Sequence, residues 1–197
     1  MVKQYGKNKE RERQKMNLPN KITIMRVILV PFFVACMLMD TIPYHNYLAA
    51  VIFVIACCTD ALDGYLARKY ELVTNFGKFM DPLADKLLVC SALICFVAVD
   101  NIPMPAVVVI IIIAREFIIS GFRLIASDNG VVIAASYWGK FKTIAQMIMS
   151  ILLILQLEGH IFEVLEQVLI IISLILTVIS LIDYLVKNKN VLAEDKH

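Results

Sequence analysis

A chain of 197 residues that is 60% hydrophobic, with a mean hydropathy of +0.77, holds more apolar side chain than one water-soluble domain of that size can bury. Nineteen Lys and Arg against seventeen Asp and Glu leave a formal net charge of +2, and no nucleic-acid partner is expected. The apolar residues come in long runs rather than in an amphipathic period, so the fold class is an all-α polytopic membrane protein.

The first sixteen residues mix Lys3, Lys7, Lys9, Arg11, Arg13 and Lys15 with Glu10 and Glu12, and Asn17-Leu18-Pro19-Asn20 then turns the chain toward the membrane. Residues 1–19 read as a cytoplasmic juxtamembrane segment, either a solvated topogenic tail or a surface helix drawn to anionic lipid. Residues 20–197 read as one six-helix domain, with transmembrane helices expected over 20–39, 47–68, 82–99, 104–126, 138–157 and 161–185. Each is near the roughly 20 residues a helix needs to cross hydrocarbon. Arg68, Lys69 and Lys78 lie in the second connection, Lys140 and Lys142 open the fifth span, and Lys187, Lys189 and Lys196 follow the sixth. The other connections, 40–46, 100–103 and 158–160, contain no Lys or Arg. The bias puts both termini and the second connection in the cytoplasm of a multi-pass plasma-membrane protein. Cys36, Cys57, Cys58, Cys90 and Cys95 all fall inside spans, which suits packing rather than a disulfide framework, and the three histidines are too scattered for a metal site.

Charge inside or beside a span is costly, and one group of residues concentrates it. Asp60, Asp63, Gly64 and Ala67 are spaced i, i+3, i+4 and i+7, so they share one stripe at the end of the second helix; Gly77, Asp81 and Asp85 recur every four residues at the start of the third. A short turn joins two antiparallel helices here, so the stripes can face each other near the cytoplasmic surface. Gly64 and Gly77 lack a Cβ and permit close approach of a helix or a ligand. Four neighbouring carboxylates raise one another's pKa and call for cations. A donor set of carboxylates without thiolate or imidazole suits Mg²⁺ or Mn²⁺, ions that keep open positions for phosphate oxygens. Arg68, just past Ala67, has the planar fork that grips a diphosphate. The combination is suited to phosphoryl-group chemistry. Two blander readings stand beside it: Asp81-Pro82 makes a good cap for a helix starting at Pro82, and Asp60 and Asp63 could pair with Arg68 or line an ion pathway.

Asp60-x-x-Asp63-Gly64-x-x-Ala67-Arg68, followed after eight residues by Gly77-x-x-x-Asp81-x-x-x-Asp85, resembles the signature of the CDP-alcohol phosphotransferase family at every fixed position. Asn17-Leu18-Pro19-Asn20-Lys21-Ile22-Thr23 through Arg26, Ala114-Arg115-Glu116-Phe117 and Gly139-Lys140-Phe141-Lys142-Thr143 look like the bacterial phosphatidylglycerophosphate synthases within it, so the similarity runs from about residue 17 to 185. The resemblance implies a six-helix homodimer that uses two divalent cations, Mg²⁺ or Mn²⁺, to transfer the phosphatidyl group of CDP-diacylglycerol to an alcohol with release of CMP. It further implies Asp60, Asp63, Asp81 and Asp85 as metal ligands, Asp85 also as general base, and Gly64, Arg68 and Gly77 at the CDP-diacylglycerol head. Thr74, Thr23 and Arg26 are expected around the nucleotide.

The acceptor is approached through the remaining cations. Arg115 and Arg123 fall within the fourth span and Lys140 and Lys142 at the start of the fifth. A dianionic acceptor, sn-glycerol 3-phosphate, asks for such partners, whereas an uncharged inositol or a serine needs fewer. Inositol 1-phosphate, serine or another alcohol remains the alternative acceptor, and a six-helix divalent-cation transporter the alternative of another class. Arg115 is expected to be the leading phosphate ligand, unpaired with Glu116 because neighbours in sequence point to different faces of a helix. Arg123 and Lys140 could instead snorkel to the interface.

Overall fold

A computed structural model describes the backbone of residues 18–39, 41–69, 75–128 and 136–188; the side chains of residues 18–20, 60–69, 75–82, 85, 127 and 128 lie outside what it describes. Six helices lie among the described residues: α1 (Leu18–Leu38), α2 (His45–Lys69), α3 (Asn75–Ala98), α4 (Ala106–Asp128), α5 (Tyr137–Leu155) and α6 (His160–Lys187). All six expected runs are helical. The largest difference in boundary is at α3, which begins at Asn75 rather than near Pro82. Residues 75–81 are too polar to join an apolar run, yet they continue the helix. Asp81 is therefore inside α3 and does not cap it, which removes capping as an account of that carboxylate.

Among the described residues, three stretches are long and apolar enough to span a membrane, Lys21–Leu38, Tyr137–Leu155 and His160–Lys187, with shorter apolar stretches at His45–Thr59 and Lys86–Ala98. The polar ends of α2 and α3 carry the aspartates, and α4 is interrupted by Arg115, Glu116 and Arg123, so these three helices lower their own hydropathy with chemistry-bearing residues. The remaining surface is strongly apolar: Phe32, Val51, Ile110, Phe117, Ile171 and Ile182 all point outward. Hydrocarbon accommodates such a surface where water does not.

Helix α1 packs along both α2 and α3, α5 packs along α6, and α4 and α2 join the two groups through α6 and α5 respectively. The main core runs through Phe33 and Met37 of α1, Phe53 of α2, Leu93 and Phe96 of α3, Ile112 of α4 and Leu153 of α5. Phe33 and Phe53 stack at a tilt with ring centroids 5.8 Å apart. These residues sit toward the ends of α2 and α3 remote from the aspartates. At that remote end Gln156 stops α5 in the left-handed conformation (φ 45°), and its amide donates to Asn46 Oδ1 at 3.3 Å, tying the connection before α6 to the first turn of α2. One buried acid, Glu166, lies two turns into α6 at this end, near the exposed Glu163 of its first turn.

Candidate active site

The aspartate signature is carried on unbroken helix. Asp60, Asp63, Gly64, Ala67 and Arg68 occupy the last turns of α2, and Gly77, Asp81 and Asp85 the first turns of α3, so the spacing read from the sequence is a helical spacing on both sides. The side chains of these eight residues, and Thr74 altogether, lie outside the described residues. Among the described residues no three His, Cys, Asp or Glu gather in a way that could hold a metal ion. The fit of a divalent cation to this region rests on its donor set, four carboxylates on two helices in mutual contact, which is hard oxygen chemistry. Thr23 and Arg26 lie one turn apart on α1 and are 0% and 1% exposed, on the helix that packs against both α2 and α3.

A cavity of about 510 Å³ opens beside α3, walled by α4, α5 and α6. Four basic residues line it: Lys86, Arg115, Arg123 and Lys140. Three of these were expected as phosphate ligands. Lys86 was not singled out, although a lysine one residue after Asp85 in an apolar run is the kind of charge that marks a site. Arg115 is nearly buried and held at both ends of its guanidinium, Nη1 donating to Glu116 Oε1 at 3.1 Å and Nη2 to Ser180 Oγ at 2.6 Å. Its Nε has no hydrogen-bond partner among the described residues. Arg123 stands 5.8 Å from the ring centre of Tyr184 and Lys140 stands 5.6 Å from that of Tyr137, both cations exposed. Each is steadied over an aromatic face while its charge remains at the cavity.

The expectation that Arg115 and Glu116 would not pair is corrected by this geometry. Two long side chains at consecutive positions both bend toward α5, where Lys142 supplies a second cation to the same Glu116 oxygen. A carboxylate between two cations satisfies more charge than either helix face alone would suggest. Lys142 is 2% exposed and does not line the large cavity; it borders a smaller one behind Glu116. Of the four expected phosphate ligands, the structure thus brings Arg115, Arg123 and Lys140 together and sets Lys142 behind them as the partner of Glu116.

Ser136 closes the cavity at its outer rim. Its hydroxyl donates to Asp183 Oδ2 at 2.5 Å, and Lys187 Nζ donates to Asp183 Oδ1 at 2.7 Å, so the start of α5 is clamped to the end of α6. Ser120 and Thr143 bond carbonyls of their own helices, whereas Arg115 Nε and the Tyr184 hydroxyl on the same wall have no partner among the described residues. The arrangement offers a basic, partly enclosed recess sized for a small phosphorylated molecule, next to the helix that bears Asp81 and Asp85.

Comparison with known proteins gives the arrangement a lineage. Residues 16–179 match the model of the CDP-alcohol phosphatidyltransferase family. A protein of Bacillus subtilis is 50% identical over 143 residues, covering 67% of this chain and 73% of its own length. One of Haemophilus influenzae is 42% identical over 173 residues, covering 87% and 92%, and one of Rickettsia felis is 36% identical over 167 residues, covering 83% and 91%. All three are named CDP-diacylglycerol–glycerol-3-phosphate 3-phosphatidyltransferase. With a match over most of its length and relatives at such identity, the chain belongs to the CDP-alcohol phosphatidyltransferase family.

Proposed function

We propose that this protein transfers the phosphatidyl group of CDP-diacylglycerol to sn-glycerol 3-phosphate, giving phosphatidylglycerophosphate and CMP in phospholipid synthesis. The observation that carries the reading is the basic recess around Arg115 beside the helix of Asp81 and Asp85, in a chain whose relatives carry that activity in their names. The recess supplies phosphate partners for the acceptor, and the aspartate helices supply the site for the donor.

In this reading Asp60, Asp63, Asp81 and Asp85 hold two divalent cations, Mg²⁺ or Mn²⁺. Bound there, such ions would polarise the donor diphosphate and neutralise the departing phosphate. Arg68, Gly64 and Gly77 receive the CDP-diacylglycerol head, with Thr23, Arg26 and Thr74 about the nucleotide. Arg115, backed by Glu116 and Ser180, takes the acceptor phosphate together with Arg123 and Lys140. Asp85 accepts the proton of the acceptor's primary hydroxyl; that oxygen bonds to the lipid-side phosphorus as the phosphoanhydride bond breaks, and CMP leaves with the bond's electron pair. Lys142 supports the recess through Glu116. A cation-conducting reading is disfavoured by the four basic residues on the cavity wall.

Purified protein given CDP-diacylglycerol with each of glycerol 3-phosphate, inositol 1-phosphate, free inositol and serine is expected to release CMP fastest with glycerol 3-phosphate. Faster release with an unphosphorylated alcohol would sink the acceptor assignment.

We further propose that the chain spans the plasma membrane six times as a homodimer, with both termini and the aspartate helices' shared connection cytoplasmic, as its basic loops direct. In a variant freed of its five native cysteines, single cysteines at Asn75 and Asn188 should resist an impermeant thiol reagent in intact cells, while one at Asn46 should react. Labelling of position 75 from outside would reverse the orientation.

A further inference from the structure

Behind Glu116 lies a second, smaller chamber of about 70 Å³. Lys86, Glu116 and Thr143 wall both spaces, so the chamber is a side pocket of the basic recess. Its deep wall holds Gln146 and Ser150, one turn apart on α5 and 4% and 2% exposed. Neither Oε1 nor Nε2 of Gln146 has a hydrogen-bond partner among the described residues. A buried amide with both its ends unused is costly, and in a native fold it calls for an occupant.

We propose that the chamber receives the middle hydroxyl of the acceptor glycerol and that Gln146 is the specificity-determining residue that reads it. The inference rests on the acceptor reading above. An amide offers a donor and an acceptor side by side, and a hydroxyl is the small group that answers both. The chamber, about 70 Å³, has room for a hydroxylated carbon. Phe53 gives the chamber an apolar flank for the carbon itself. Lys86 and Val89, both on its wall, follow position 85 along α3, so the chamber adjoins the helix segment that carries Asp85. One three-carbon chain then connects the recess, the reacting oxygen and the chamber.

The test compares glycerol 3-phosphate with 3-hydroxypropyl phosphate, the same chain without the middle hydroxyl, as acceptors for the full-length enzyme in detergent with CDP-diacylglycerol and saturating Mg²⁺. The wild-type protein should prefer glycerol 3-phosphate by roughly 10- to 100-fold in kcat/KM, because the deoxy acceptor leaves the amide unanswered. Gln146→Leu, with Gln146→Met as a second variant of similar volume, should bring the two acceptors to within about threefold of each other. Equal slowing of both acceptors by these variants would overturn the proposal and leave the chamber to structural water. A wild-type enzyme that does not distinguish the acceptors would overturn it without any variant. Absence of CMP release with glycerol 3-phosphate, alongside release with an unphosphorylated alcohol, would overturn the acceptor reading itself, and the chamber's role with it.

Discussion

Asp85→Asn is expected to slow CMP release roughly 10²- to 10⁴-fold while part of the affinity for CDP-diacylglycerol survives. The range is what a positioned general base typically contributes, and an amide of the same shape cannot take the proton. The neighbouring carboxylates would still offer ligands to a cation, so donor binding falls less than turnover. Asp60→Asn and Asp63→Asn are expected to differ by losing metal-dependent donor binding along with activity. Titrating donor binding against Mg²⁺ in each variant, next to single-turnover CMP release, separates the two patterns. A pH profile will belong to the four acids together, because interacting sites titrate as a set. Near-normal turnover of Asp85→Asn at saturating metal would take the base role away from this residue.

The second large effect divides the cations of the recess. Arg115→Gln should lower kcat/KM for glycerol 3-phosphate by roughly 10- to 100-fold, the usual consequence of losing a charge-assisted contact, with little change in CDP-diacylglycerol affinity. Arg68→Gln should do the reverse. Lys142→Met should act on the fold instead: it removes one of two cations from Glu116, a carboxylate 16% exposed, and should cost about 1–3 kcal/mol of stability. A thermal melt in detergent and acceptor kinetics on the same preparations decide between these roles. If Lys142→Met raised the acceptor KM as much as Arg115→Gln and left the melt unmoved, Lys142 would be a phosphate ligand after all.

What the sequence disclosed and what it hid follow from the range of each interaction. Helix existence is a matter of consecutive residues, and all six helices were legible from their apolar runs. The start of α3 was not, because Asn75 to Asp81 extends the helix with polar residues that an apolar-run criterion discards. The carboxylate and glycine spacing was legible because it repeats at the period of one helix. The pairing of Arg115 with Glu116 was misread for the complementary reason: it depends on Lys142 from α5, 26 residues away, and no rule about neighbours on one helix contains that third charge. Ser180 and Gln146 join the site from α6 and α5 by the same long-range packing. Their one local signal is a polar residue on the buried stripe of an otherwise apolar helix; on α6 that stripe runs Ser173, Thr177, Ser180 and Tyr184.

The apolar core and the basic recess occupy different ends of the same helices. Phe33, Phe96 and Leu153 pack at the end remote from positions 115, 123 and 140. A scaffold divided in this way separates inheritance from innovation. Substitutions at Arg123 and Lys140, both exposed, fall where they erode little packing, so a lineage can retune that wall of the recess without first acquiring stability to spare. The donor's signature enjoys no such freedom, since α2 and α3 carry both its aspartates and much of the core, and drift in one would be felt by the other.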